Sequence, residues 1–207
     1  TKIEIPVGGP GVTWWYQNFE GNPVINPEGS LIYELIKFCS HNRLQLNFIT
    51  WHAYSTDPKV EKEATLYNRP LATLIRDWLS YFNFPKNTPL IVGEWNFDSG
   101  SNMSSARKEA SFISASYIPS RLKNMYEATI DYQLYFSLED FQGNNEGVKR
   151  NVGLFWFEPD PVAYKGGPKA TYNIFKMLGL LGEGLMQQVQ KTDDEFIDSI
   201  ATKSKDD

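Results

Sequence analysis

The strongest constraint on the fold is the alternation of short apolar runs with stretches of helical periodicity. Four runs have the length and the β-branched or aromatic content of buried strands. The predicted strands are Lys2–Val7, Gln45–Ala53, Leu90–Glu94 and Ile130–Leu138. The first is expected to run into a turn at Gly8-Gly9-Pro10. Strands that alternate with helices form a parallel sheet covered by those helices, so the sequence predicts an α/β fold with four βα units.

The helical stretches follow the strands, with apolar residues at spacings of three and four. The predicted helices are Glu28–Arg43, a segment around 71–82, Ser104–Glu127 and Lys169–Leu181. The second has one apolar face, formed by Leu71, Leu74, Ile75, Trp78, Leu79 and Phe82. Pro119 is expected to kink the third helix or divide it in two. Cys39 lies on the apolar face of the first helix and is predicted to be core, and Val152–Phe157 is predicted to be a short extra strand.

Composition excludes several classes of protein. The net charge of −5 and the pI near 5.2 argue against a partner of nucleic acid or anionic membrane. No apolar run approaches the roughly 18 residues that a membrane span requires. With one cysteine and two histidines, neither an internal disulfide nor a zinc site built on these residues is expected. No phosphate-binding glycine loop is present either, so no cofactor and no metal is predicted.

Aromatic residues are unusually frequent and fall beside predicted strand ends. The chain has 6 Trp, 11 Tyr and 13 Phe. Flat rings next to carboxylates and amides suit sugars, whose C–H faces stack on aromatics while their hydroxyls need polar partners. Trp14 and Trp15, in the loop after the first strand, are the best candidates for a sugar platform. Ordinary core packing is the alternative for about half of the rings.

Glu94 is the leading catalytic candidate. The run Leu90-Ile-Val-Gly-Glu-Trp-Asn96 is an apolar strand that delivers a carboxylate at its carboxyl end. In parallel barrels this end of the strand faces the cleft. A strand-end glutamate that forms only a salt bridge is the alternative.

Several motifs, in this order along the chain, resemble glycoside hydrolase family 39, the group of β-xylosidases and α-L-iduronidases. They are Ile5-Pro-Val-Gly-Gly-Pro10, Phe48-Ile-Thr-Trp-His-Ala-Tyr54, Ile91-Val-Gly-Glu-Trp-Asn96, Tyr135-Phe-Ser-Leu-Glu-Asp140, and Gly153-Leu-Phe with Pro168–Leu178. The first four are similar to strands five to eight of that family's barrel. The resemblance implies the C-terminal half of a (β/α)8 barrel, with retaining hydrolysis of O-glycosidic bonds and Glu94 as the nucleophile.

The predicted site around Glu94 follows from these motifs. His52 and Tyr54, at the tip of the neighbouring strand, are expected to donate hydrogen bonds to the carboxylate. The remaining predicted sugar-contacting residues are Trp95, Asn96, Phe136 and Glu139. Two departures from the family pattern stand out. Phe136 replaces a tryptophan, and Gly93 replaces the threonine before the nucleophile.

One family motif is absent, since no Asn-Glu-Pro occurs in the chain. That motif carries the acid/base glutamate at the end of the fourth strand. The pair Asn145-Glu146 lies in a late glycine-rich loop and is interpreted as solvated. We therefore interpret the chain as a fragment that holds the nucleophile and lacks the acid/base group, so that by itself it is catalytically incomplete.

The domain organisation follows from this interpretation. Residues 1–182 are predicted to be the partial barrel and 183–207 a linker or tail. In the tail, Ile197–Ser204 would open a β-sandwich but has no partner strand in sight. The chain begins Thr-Lys, with neither an initiator methionine nor a signal peptide, and its compartment stays open.

Two other functions remain open. One is a carbohydrate-binding half-barrel without turnover. The other is a half-barrel that closes its exposed parallel edges by pairing with a second copy. The expected partners are thus a carbohydrate substrate and either the missing N-terminal half-barrel or a second copy.

Overall fold

The structure is a computed structural model, and it describes residues 5–13, 30–54, 65–66, 69–97, 112–142, 149–150, 152–158, 165–182, 184–185 and 199–204. The helices are α1 (Leu31–His41), α2 (Leu71–Tyr81), α3 (Phe112–Glu127) and α4 (Ala170–Leu178). The strands are β1 (Gly8–Thr13), β2 (Phe48–Tyr54), β3 (Thr65–Leu66), β4 (Arg69–Pro70), β5 (Leu90–Asn96), β6 (Tyr132–Tyr135), β7 (Phe141–Gln142), β8 (Lys149–Arg150), β9 (Phe155–Glu158), β10 (Lys165–Pro168), β11 (Gly184–Leu185) and β12 (Thr202–Lys203). None of the described helices is both long and apolar enough to span a membrane.

The chain divides into two compact units. Unit 1 comprises Thr1–Trp95 and Asn124–Tyr135, and unit 2 comprises Asn96–Lys123 and Phe136–Asp207. The predicted boundary at residue 182 follows a different criterion and stays a prediction.

Unit 1 contains a four-stranded parallel sheet in the order β1-β2-β5-β6. Helices connect its strands in the sequence β1-α1-β2-α2-β5-α3-β6. This succession confirms the prediction of consecutive βα units. The mixed α/β fold with four parallel strands is consistent with half of a (β/α)8 barrel.

The first strand lies further along the chain than the sequence indicated. Of the predicted strand Lys2–Val7, residues 5–7 are not in a strand and residues 2–4 lie outside the described residues. Gly8, Gly9 and Pro10, predicted as a turn, belong to β1. The sequence argued against a strand here, because proline has no backbone N–H for the hydrogen bonds between strands and glycine weakens a strand. β1 is an edge of the sheet, where a missing N–H is tolerated.

Two register shifts interrupt the sheet where β1 and β5 approach their carboxyl ends. Pro10 pairs with Thr50 but Val12 pairs with Trp51, so β1 carries one extra residue, Gly11, with φ of +67°. In β5 the shift lies between Val92 and Trp95 and spans Gly93 and Glu94. Bulges of this kind turn individual side chains away from the regular alternation.

The core of unit 1 is formed by the apolar faces of α1 and α2 together with the sheet. The six residues predicted for the second helical face, from Leu71 to Phe82, are all buried. Tyr33 of α1 meets the rings of Trp78 and Phe82 edge-on, with centroids 5.4 Å apart in each case. Cys39 is buried as predicted, and desolvation raises the pKa of its thiol.

The first three helices end in the same way. Arg43, Asn83 and Thr129 follow α1, α2 and α3 with positive φ values of 54°, 64° and 59°. In each case the next residue donates its backbone N–H to the carbonyl five positions earlier, as Ile130 does to Met125 at 3.0 Å. These are Schellman caps, which reverse the chain after a helix and direct it into a strand.

Helix α3 contains Pro119 without being divided. The segment Phe112–Glu127 is one continuous helix, so Pro119 does not divide it there, and the alternative of a kink stays a prediction. Residues 104–111 of that prediction lie outside the described residues.

Unit 2 contains short antiparallel pairs and α4. β9 pairs with β10, and Asp140 and Phe155 are joined by a backbone hydrogen bond of 2.9 Å. In the tail, β12 pairs antiparallel with β11. The expectation that the last strand lacks a partner is therefore wrong, because Gly184–Leu185 supplies one.

Candidate functional site

Glu94 lies near the carboxyl end of β5, beside the equivalent part of β2. Its side chain is 35% exposed, which leaves the carboxylate accessible. It is positioned by the β5 bulge, so its direction does not follow the regular alternation of the strand.

Tyr54 holds one oxygen of this carboxylate. Its hydroxyl donates a 2.6 Å hydrogen bond to Oε2 of Glu94. The tyrosine residue is 6% exposed and is the last residue of β2. A short hydrogen bond to an ionised acceptor stabilises the charge and fixes its orientation. The predicted contact is therefore present.

His52 approaches the same oxygen. Its Nδ1 lies 3.4 Å from Oε2 of Glu94 and 3.3 Å from Oγ1 of Thr13. The side chain is 23% exposed. Thr13, the last residue of β1, was not identified from the sequence, because the first strand was predicted to end at Val7.

Gly93, the glycine before Glu94, lies close to a side chain of the neighbouring strand. A Cβ at Gly93 would lie 2.7 Å from Oγ1 of Thr50, closer than real contacts allow. The next nearest atoms, on His52 and Trp51, would be at an ordinary 3.7 Å. The hydroxyl of Thr50 therefore fills the space that a side chain at position 93 would take.

Trp95 is placed in the core of unit 1. It is fully buried, packs edge-on against Tyr135 with centroids 5.0 Å apart, and its indole N–H donates to Oε1 of Gln133. In this position it supports the strand behind Glu94. Its predicted contact with a sugar stays a prediction.

Three further predicted residues belong to unit 2. Asn96 is 1% exposed, and its amide donates to the carbonyls of Phe136 and Val152 at 2.7 and 2.9 Å. Phe136 is half-buried, whereas Glu139 is exposed and its carbonyl accepts the hydroxyl of Ser137 at 2.6 Å. The sugar-binding roles of all three stay predictions.

Unit 2 also contains a buried ion pair that sequence reasoning missed. Nζ of Lys169 lies 2.7 Å from Oδ1 of Asp140, with side chains 8% and 9% exposed. The same oxygen accepts the backbone N–H of Gly153 at 2.8 Å. The pair joins the segment after β6 to the residue before α4, and no local pattern in the sequence indicated it.

Trp14 and Trp15, predicted to form a sugar platform, lie outside the described residues, as do Asn145 and Glu146. Among the residues that the structure does describe, no group of three or more His, Cys, Asp or Glu side chains is arranged to hold a metal ion.

Neither a protein-family model nor a curated protein matches the chain. Solved structures do match it. A GH39 enzyme from Xanthomonas axonopodis pv. citri is 22% identical with a TM-score of 0.58, over 86% of this chain and 33% of that one. A monomeric β-xylosidase from Caulobacter crescentus CB15 is 18% identical with a TM-score of 0.57, over 86% of this chain and 34% of that one.

At such identities the likeness establishes the fold. A GH39 β-xylosidase structure from Caulobacter crescentus gives the same result, with a TM-score of 0.54 at 18% identity. The chain spans about a third of the length of these solved glycosidases. Its mixed α/β structure is thus a glycosidase-like fold.

Proposed function

We propose that this chain carries the nucleophile side of a retaining glycosidase site, with Glu94 as the nucleophile. The observation that supports this most directly is the 2.6 Å hydrogen bond from Tyr54 to Oε2 of a glutamate near the end of a parallel strand. A carboxylate with only a structural role would not need both a hydrogen bond from a buried tyrosine and a side chain that is open to solvent.

The two carboxylate oxygens are suited to different tasks. Tyr54 and His52 both approach Oε2. Among the described residues, no hydrogen bond to Oε1 is present, so Oε1 can attack an anomeric carbon. In a retaining reaction this attack forms a covalent glycosyl-enzyme as the bond to the leaving group breaks, and water then releases the sugar.

The second carboxyl group of the reaction is proposed to come from polypeptide outside these 207 residues. Retaining hydrolysis places the two carboxyl groups about 5–5.5 Å apart, one of them acting as acid and then as base. The partial coverage of the solved glycosidases is consistent with this division. The parent protein is accordingly proposed to be a glycoside hydrolase acting in carbohydrate metabolism.

The edge strand β6 indicates where further polypeptide would join. Tyr132 and Leu134 on this strand are 63% and 56% exposed. Parallel sheets are normally covered on both faces, and long open edges are normally closed. We propose that the complementary barrel segment covers β6. A second copy of this chain is the alternative, which analytical ultracentrifugation over a range of concentrations distinguishes.

The experiment that tests the nucleophile uses activated 2-deoxy-2-fluoro glycosides. These reagents carry good leaving groups, so they require the nucleophile but hardly require the acid. The first probe is the xyloside, because two of the solved neighbours are named β-xylosidases. Intact mass after incubation reports the label, and peptide mapping reports its position.

The proposal predicts one label, on Glu94. Glu94→Gln should abolish it, whereas Glu127→Gln, which changes an exposed glutamate at the end of α3, should leave it intact. Circular dichroism of each variant establishes that it is folded. A label on a different residue, or no label on the folded chain with any of the glycosides, would contradict a formed nucleophile site.

A further inference from the structure

One ring nitrogen of His52 lies between two oxygen atoms of different character. Nδ1 is 3.3 Å from the hydroxyl oxygen of Thr13 and 3.4 Å from the carboxylate oxygen Oε2 of Glu94. A neutral imidazole has one N–H donor and one acceptor nitrogen, and its hydrogen bonds decide which is which.

The surroundings of Nδ1 favour a proton there. A hydroxyl can either donate or accept, so Thr13 suits both tautomers. A carboxylate oxygen only accepts, and it would repel a lone pair on Nδ1. Oε2 also accepts a hydrogen bond from the hydroxyl of Tyr54. When Nδ1 of His52 carries a proton, both groups that approach Oε2 therefore present a hydrogen to it.

We propose that the Glu94 carboxylate holds His52 as the Nδ1–H tautomer, with the Thr13 hydroxyl as a second acceptor for the same N–H. The Thr13 oxygen accepts from the ring and fixes its orientation, and the carboxylate supplies the electrostatic preference. The inference rests on the proposed function in one respect, since it gives the histidine a role at a nucleophile. Its geometry is independent of that role.

The β1 bulge explains why a hydroxyl is available at this point. With an uninterrupted register after the Pro10–Thr50 pair, Val12 would lie opposite His52. The extra residue, Gly11, moves Thr13 into that position, and the pair Thr13–His52 is observed. A valine there could not accept a hydrogen bond from the ring.

The other ring nitrogen then becomes an acceptor. In the Nδ1–H tautomer, Nε2 has a lone pair and can receive a hydroxyl proton from a ligand. A Cβ built at Gly11 would lie 4.0 Å from Nε2, so Gly11 lies beside this nitrogen and adds no side chain there. The tautomer thus determines that His52 accepts from, rather than donates to, a hydroxyl group of a neutral sugar.

Nitrogen NMR of the full 207-residue chain with ¹⁵N-labelled histidine tests the proposal. The chain has only two histidines, and the exposed His41 at the end of α1 serves as an internal reference. At a pH where imidazole is neutral, protonated and unprotonated ring nitrogens have well-separated shifts. The expected spectrum shows His52 predominantly as Nδ1–H.

Two variants separate the carboxylate from the threonine hydroxyl. Glu94→Ala should lower the ratio of Nδ1–H to Nε2–H by roughly fivefold or more, because, of these two neighbours of Nδ1, it removes the one that can only accept. Thr13→Val removes a hydroxyl that suits both tautomers and should retain the wild-type ratio. His41 should not change in either variant.

The proposal is overturned by an Nε2–H tautomer in the wild-type chain, or by an unchanged ratio in Glu94→Ala. A loss of the ratio in Thr13→Val equal to that in Glu94→Ala also overturns it, because the threonine and not the carboxylate would then select the tautomer. These shifts need only the folded chain, whereas labelling of Glu94 needs a bound glycoside. Failure of the proposed function is therefore seen separately.

Discussion

The hydroxyl of Tyr54 donates to Oε2 of Glu94 at 2.6 Å, although the two residues are 40 positions apart in the chain. They meet because β2 and β5 are neighbours in a parallel sheet. Carboxyl ends of adjacent parallel strands lie at the same edge, so residues near the ends of the two strands are brought together.

Tyr54→Phe tests the value of this hydrogen bond. The variant keeps the buried ring and removes the donor to a charged acceptor, which is worth about 1.5–3 kcal/mol. We expect the rate of Glu94 labelling by fluoro-glycosides to fall by roughly 10- to 100-fold. Time-resolved intact mass measures the rate. Tyr126→Phe, at an exposed tyrosine of α3, is the control and should label at the wild-type rate. Equal rates for wild type and Tyr54→Phe would contradict a role for the hydroxyl.

Gly93→Ala tests the packing beside Glu94. The new Cβ would lie 2.7 Å from Oγ1 of Thr50, and we expect a loss of about 1–3 kcal/mol in the free energy of unfolding. Urea denaturation measures it. In the background of Thr50→Ala the same change should cost less than about 1 kcal/mol, because the obstructing oxygen is gone. Additive costs in the double variant would show that the two positions do not interact.

Thr129→Gly is expected to stabilise the protein. Thr129 is a β-branched residue at a φ of 59°, and the left-handed region costs such residues about 1–2 kcal/mol. Glycine has no such cost, although it loses more entropy on folding, so we expect a net gain of about 0.5–1 kcal/mol. Asn83→Gly, in the same cap position of α2, should gain less because asparagine tolerates this conformation. Thermal or urea denaturation of the two variants side by side decides the order.

Because the thiol of Cys39 is buried, we predict that the folded protein loses stability in alkaline solution. Burial raises the pKa of its thiol, so above the ordinary thiol value of about 8.5 the unfolded chain loses this proton before the folded chain does. The folded state then binds more protons, and the free energy of unfolding falls as the pH rises through that range. Cys39→Ala should remove this contribution and flatten the pH dependence. Parallel slopes for the two proteins, from urea denaturation on both sides of pH about 8.5, would contradict the prediction.

The fold was predictable where periodicity was strong. The apolar face of α2 and the strand at Leu90–Glu94 were found from spacing alone, and both are observed. The position of β1 was missed, because glycine and proline dominate its first half and a local pattern does not indicate that a strand will lie at a sheet edge. The caps at Arg43 and Thr129 were also invisible, since neither residue type favours a positive φ.

The candidate site, too, was predictable from the sequence only in part. Glu94, His52 and Tyr54 were identified from motifs at strand ends, and the structure brings their side chains together. Thr13 was not identified, because its pairing with His52 depends on the extra residue in β1. The contact of Thr50 with position 93 was missed for a related reason, since it requires the three-dimensional register of two strands.

The bulge in β5 changes the parity of that strand. Val92 and Trp95 are three residues apart, whereas their partners Gln133 and Tyr135 on β6 are two residues apart. Trp95 therefore lies opposite Tyr135 and packs against its ring, in the position that Glu94 would take in a regular strand. Deleting one residue between Val92 and Trp95 would therefore do more than shorten the strand. Without Gly93, for example, Trp95 would stay opposite Tyr135, whereas Glu94 would lose the bulge that sets the direction of its side chain. The separate positions of Glu94 and Trp95 thus depend on the one extra residue in β5.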